Sequence, residues 1–140
     1  MVIVLIGVLA VFATPMFSNA EFNARGFHDE TLAYLRYGQK TAIAQRRTVC
    51  VAFTADSATL TIAGAANTAA CDTPLIGPRG ETPATLTARA GVTYITFPAA
   101  GFTFNPLGQP TAAQALQVAS GGTAISLGIT VEPGTGYVHD

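Results

Sequence analysis

Charge is what this sequence has least of. Only 11% of its 140 residues are Asp, Glu, Lys or Arg, less than half the roughly 25% of an average soluble domain. The formal net charge is −1, so no global field draws the chain toward nucleic acid. The one basic cluster, Arg46–Arg47, reads as a solvated helix end. Motifs for nucleotide or nucleophilic chemistry are missing too: there is no Walker loop, no Rossmann glycine pattern and no GxSxG. Gly121-Gly122 reads as a turn, not a phosphate cradle. His28-Asp29-Glu30 and His139-Asp140 are the only concentrations of titratable groups, and they read as solvated helix and tail residues. Phe27, Tyr34 and Tyr37 read as packing residues, not a ligand box. No catalytic residue, cofactor or metal site is expected.

What is present instead is apolar. Hydrophobic residues make up 49% of the chain, and the mean hydropathy is +0.39. The excess sits at the front, where Met1–Phe17 (MVIVLIGVLAVFATPMF) carries no charge and one polar side chain, Thr14. Three readings compete for this run. A secretory signal peptide would use Ser18-Asn19-Ala20 as a cleavage site before Glu21, but the usual basic n-region is missing. A soluble core helix would need a wet face, and the run is apolar all round. The third reading is a transmembrane segment whose first turns precede Met1. Met1–Thr14 alone would span about 21 Å at 1.5 Å per residue, short of a core of about 30 Å. The third reading is favoured because the helix continues: Pro15 would kink it, as membrane helices tolerate.

Phe17 to Arg47 reads as amphipathic helix, with Phe22, Leu32, Leu35, Ala42 and Ile43 as an irregular apolar stripe. Asp29 and Glu30 lie early and the arginines lie in the last turn, as the macrodipole prefers. Gly26 is a weak point costing about 1 kcal/mol relative to Ala.

After Arg47 the period changes to two. Thr48–Thr54 and Ala58–Ala63 alternate around an Asp56-Ser57 turn, and Ala65–Pro83 reads as a long loop. Thr85–Arg89, Val92–Phe97 and Gly101–Asn105 follow as strands, the last closed by the turn Asn105–Gly108. Ala124–Val131 puts Ile125, Leu127, Ile129 and Val131 on one face, and Pro133-Gly134 turns the chain into a terminal hairpin. The expected architecture is α+β: a long N-terminal hydrophobic helix packed on a small antiparallel meander. The chain divides into a helix over 1–47 (1–17 membrane or filament-core segment, 18–47 amphipathic half) and a β-rich part over 48–140.

Two cysteines, Cys50 and Cys71, flank a polar stretch. In a small exported domain an even count reads as a disulfide, which implies an oxidising compartment. Buried free thiols remain the alternative. A zinc site would need four ligands, and no His lies near either cysteine.

The order of a proline-broken hydrophobic helix, an amphipathic continuation and a small sheet resembles type IV pilins and type II secretion pseudopilins. Val2–Phe17 (VIVLIGVLAVFATPMF) looks like that family's N-terminal helix, entered several residues late. Thr41–Phe53 (TAIAQRRTVCVAF) is similar to the helix end and first strand of minor pilins. Phe102–Pro110 (FTFNPLGQP) and Ile129–Asp140 (ITVEPGTGYVHD) resemble the closing sheet of the pseudopilin H group and of minor pilins of the mannose-sensitive haemagglutinin (MSHA) pilus. The family's basic leader ending in glycine, its N-methylated aromatic residue and its glutamate are not in this sequence, so processing by prepilin peptidase is implied by the resemblance alone.

The resemblance implies a structural minor pilin or pseudopilin, stored in the inner membrane with its globular part in the periplasm. It would then join other such subunits through the N-terminal helix, by Val2, Val4, Leu5, Gly7, Leu9, Val11, Phe12 and Pro15. Two alternatives stand beside it. A soluble periplasmic binding domain would follow from signal-peptidase cleavage. A DNA-uptake minor pilin would need a basic tail, and Gly134–Asp140 has no Arg or Lys.

Overall fold

The computed structural model describes residues 19–140. Within them, helix α1 (Asn19–Gln45) is followed by nine strands: β1 (Val49–Phe53), β2 (Ser57–Ile62), β3 (Thr73–Pro74), β4 (Ala84–Thr87), β5 (Val92–Thr96), β6 (Phe102–Phe104), β7 (Gln114–Ser120), β8 (Thr123–Val131) and β9 (Val138–His139). The strands form two sheets and not one meander. The first runs β3-β2-β1-β6, with β4 beside β3 along the same edge of β2; the second runs β5-β7-β8-β9. All pairings are antiparallel.

The expected antiparallel α+β class holds, and period-two alternation accounts for the first sheet. Val49, Val51 and Phe53 on β1, Leu60 and Ile62 on β2, Leu86 on β4 and Phe104 on β6 all point inward. Threonines on the alternate positions of β2 and β4 are partly solvated. The β1–β2 turn also links the two sheets. Ala55 O accepts from Tyr94 N on β5 (2.7 Å), while Asp56 O accepts from Ala88 N (2.7 Å) at the end of β4 in the first sheet.

The second sheet is less regular, and two exposed apolar side chains follow from that. Between Ala124 and Gly128, β8 carries more residues than the facing stretch of β7 from Gln117 to Ala119. Gln117 Nε2 fills the gap by donating to Ile125 O (2.8 Å). Leu127 therefore has no cross-strand partner and is exposed, although alternation puts it on one face with Ile125, Ile129 and Val131. Ile95 on β5 sits at a second bulge and is exposed for the same reason. The β7–β8 hairpin closes on Gly121-Gly122, both at positive φ (58° and 84°), the conformation a two-residue turn needs.

α1 packs across both sheets, on a face the apolar residues alone do not mark. Its buried stripe is Ala24, Phe27, His28, Thr31, Tyr34, Leu35, Gly38, Thr41 and Ala42, a clean three-and-four spacing. Of the expected stripe, Leu35 and Ala42 are buried, Leu32 is half-buried, and Phe22 and Ile43 are exposed. Polar residues enter the stripe because their hydrogen bonds are met locally. Thr31 and Thr41 each donate to the carbonyl one turn back, Phe27 O and Tyr37 O, at 2.7 Å. Gly38 gives the closest approach to the first sheet: a Cβ there would lie 2.5 Å from Leu60 Cδ2.

The helix ends at Gln45, so Arg46 and Arg47 lie past it and the last turn holds no basic residue. Arg46 turns left-handed (φ 53°). Arg47 N then bonds Ala42 O (3.2 Å) and Arg46 N bonds Ile43 O (3.4 Å), the paired closure of a Schellman ending.

Candidate assembly surface

Polar side chains on α1 fasten it to segments far away in sequence. Arg36 donates through Nε (3.1 Å) and Nη2 (2.9 Å) to Val138 O on β9. Gln39 Nε2 donates to Gly108 O (3.1 Å) and Thr135 O (3.0 Å). The C-terminal hairpin and the 105–108 turn are thus both held against the helix. On another side, Tyr37 donates to Ile76 O (2.6 Å) and Tyr34 donates to Glu81, which straps the 76–81 loop to α1. Arg79 Nη2 donates to the same Tyr34 oxygen (3.1 Å). Burial, then the bond to Glu81, raises the Tyr34 phenol, while that bond holds the Glu81 carboxyl below its usual range.

At the C-terminal end of α1 three segments enclose an open groove of about 670 Å³, lined by Ile43, Arg46, Ala66, Asn67, Pro106 and Leu107. Each wall is pinned. The helix wall ends in the Schellman closure. The loop wall is tied to β1 by the Cys50–Cys71 disulfide, whose Cα atoms are 6.1 Å apart. The turn wall is closed by Gly108 N to Asn105 O (2.8 Å) and by the Asn105 side chain, which accepts from Leu107 N (3.0 Å) and Gln109 N (2.9 Å). Leu107 is 75% and Ile43 48% exposed. Arg46 and Asn67 are the two non-glycine residues at positive φ among the described residues, and both line this groove.

The residues singled out in the sequence fall as follows. Val2, Val4, Leu5, Gly7, Leu9, Val11, Phe12 and Pro15 lie outside the described residues, as does the whole 1–17 segment. No helix among the described residues is long and apolar enough to cross a membrane. Cys50 and Cys71 are brought together in the disulfide. His28 is not a solvated helix residue: it is fully buried, its Nδ1 lies 3.1 Å from exposed Asp29 Oδ1, and its Nε2 has no hydrogen-bond partner among the described residues. His139 bonds Glu132 (2.8 Å) and stacks on Tyr137 at 4.9 Å. Phe27, Tyr34 and Tyr37 pack as expected. No group of three or more His, Cys, Asp or Glu among the described residues is placed to hold a metal ion. The groove was missed because its walls come from three separated stretches, and no local pattern joins them.

Comparison with known proteins gives this surface its context. The family model described as "Type II transport protein GspH" matches residues 29–135, about three quarters of the chain. Two crystal structures of the type IV minor pilin FimU from Pseudomonas aeruginosa (strain PAO1) share the fold. One, in space group P21, aligns with a TM-score of 0.60 at 14% identity over 85% of this chain and 88% of that one. The other, in space group P65, aligns with a TM-score of 0.57 at 14% identity over 82% and 90%. A search of curated protein sequences finds no match. With its helix laid across two antiparallel sheets, the fold shared with the minor pilin, and the family match running over residues 29–135, the chain belongs to the GspH family of type II transport proteins.

Proposed function

We propose that the chain is a minor subunit of a secretion pseudopilus or type IV pilus-like fibre, with a structural and not a catalytic role. The family match across residues 29–135 carries this reading. In it, Met1–Phe17 holds the subunit in the inner membrane before assembly, since inserting an uncharged helix removes its apolar surface from water. The globular part then stands in the periplasm, where the Cys50–Cys71 bond is stable. In the fibre the same segment, through Val2, Val4, Leu5, Gly7, Leu9, Val11, Phe12 and Pro15, buries its surface against neighbouring subunits. Processing by prepilin peptidase and N-methylation belong to this reading, and membership of an MSHA-type pilus is its narrower form. In this reading the chain divides into an N-terminal part over 1–47, whose helix ends at Gln45, and a β-rich part over 48–140.

A soluble binding domain and a DNA-uptake role are not favoured; the tail from Gly134 to Asp140 carries no Arg or Lys to meet phosphate. The test is to express the full chain in a bacterium with the cognate assembly system, shear and isolate the fibres, and sequence the N-terminus of the mature chain. Recovery in the fibre fraction with the apolar segment retained is expected. A mature protein beginning at Glu21 and found free in the periplasm would sink the proposal.

A further inference from the structure

We propose that the groove at the C-terminal end of α1 is a docking site for an acidic, apolar segment of a neighbouring fibre subunit. The inference rests on the fibre reading above and goes beyond it by assigning a surface and the chemistry of its occupant.

Charge bookkeeping over the whole chain points here. The sequence has seven Lys and Arg residues. Arg25 pairs with Glu21, Arg36 donates to Val138 O, Arg79 to Tyr34, and Arg89 to Asn23 Oδ1 (3.3 Å). The remaining three, Lys40, Arg46 and Arg47, have no side-chain partner among the described residues, and all three lie at the C-terminal end of α1. Arg36 and Arg89 bond neutral oxygens and keep their charge, but the cations with no side-chain partner among the described residues gather at this one end, and no carboxylate lines the adjoining groove.

The floor beside that charge is apolar. Ile43, Pro106 and Leu107 present a contiguous surface to solvent, with Leu107 three-quarters exposed. A helix end of Lys and Arg alone would read as a solvated terminus. Here one of the three, Arg46, lines a walled concavity whose volume suits side chains from a short peptide segment, and Arg47 follows it in sequence. The walls are held by a disulfide, a side-chain-bonded turn and two left-handed residues, so docking would order little that is not already ordered. Complementarity then names the occupant: a large apolar side chain for the Ile43–Leu107 floor, flanked by a carboxylate for Arg46 or Arg47.

The test places a photo-crosslinking amino acid at position 107 in the full chain, produced in cells that assemble the fibre. Retention of the Cys50–Cys71 bond in non-reducing gels checks that the variant folds. The expected result is a cross-link to a carboxylate-bearing segment of another pilin-type subunit, weakened at least tenfold by the double change Arg46→Glu and Arg47→Glu. Fibre incorporation without a cross-link from position 107 overturns the groove while leaving the fibre reading intact. A cross-link to a second copy of this chain, or one indifferent to the charge reversal, overturns the stated occupant. Absence of the chain from the fibre fraction removes both proposals together.

Discussion

Thr31 Oγ1 on α1 and Tyr94 Oη on β5 lie 2.7 Å apart in the middle of the helix–sheet interface. Thr31 spends its single hydroxyl hydrogen on Phe27 O, so Tyr94 must be the donor across the interface. Burial raises the Tyr94 phenol far above its ordinary value, which keeps that proton in place at any physiological pH.

The two ends of this bond are therefore unequal. Tyr94→Phe removes the donor and leaves an oxygen already engaged on its own helix, an expected loss of about 1 kcal/mol. Thr31→Val strands a buried phenol and is expected to lose about 2 kcal/mol. Urea titration of both single variants and the double variant checks this. Equal losses that simply add would mean the bond contributes nothing.

Two helix glycines should respond in opposite directions. Gly26 has nothing within 4 Å of a built Cβ, so Gly26→Ala is expected to raise stability by about 0.8 kcal/mol. Gly38 faces Leu60 Cδ2 and Val49 Cγ1, and Gly38→Val is expected to lower stability by about 2 kcal/mol through overpacking. Thermal unfolding of the two variants separates the cases; a gain at position 38 would contradict the close approach.

The disulfide closes a loop of sequence separation 21. Replacing both cysteines with serine is expected to lower unfolding stability by about 3 kcal/mol. Adding reductant to the unmutated protein should reproduce most of that loss, measured as a shift in the denaturation midpoint.

A pH dependence should come from the C-terminal hairpin. The bond to Glu132, then that to the Asp140 carbonyl, raises His139 above its usual 6.5. A raised histidine stabilises fully below its unfolded value and loses that contribution as pH rises through the folded one. Tm should therefore fall above about pH 6.5 in the parent protein by more than in His139→Gln. Parallel profiles for the two proteins would count against a role for the His139–Glu132 contact. Because His139 is only half-buried, salt should flatten the difference.

Much of the first sheet could be read from its residues. TVCVAFT and ATLTIA alternate without interruption, and Asp56-Ser57 supplies the turn that pairs them. The Asn105–Gly108 turn and the terminal hairpin were also visible, each from its own turn chemistry. β7 was not: QALQVAS has neither a clean period nor a high strand propensity. It becomes a strand because β5 and β8 flank it on both sides. The helix face was also obscured. Phe22 and Ile43 look like core and are exposed, while His28, Thr31 and Gly38 look peripheral and are buried.

Local order thus came from neighbours in sequence: the change of period after Arg47, the turns and the apolar front run are all written within a few residues. Tertiary structure alone decided which strands pair, how the chain splits into two sheets, and which helix face turns inward. β6 reaches β1 and β4 reaches β2 only after long intervening stretches, so no short pattern encodes the choice. A polar helix residue becomes core only when a distant partner, as Tyr94 does for Thr31, meets its hydrogen bond. The groove between Ile43, Asn67 and Leu107 is of the same kind, a surface made by three segments that meet only in the fold.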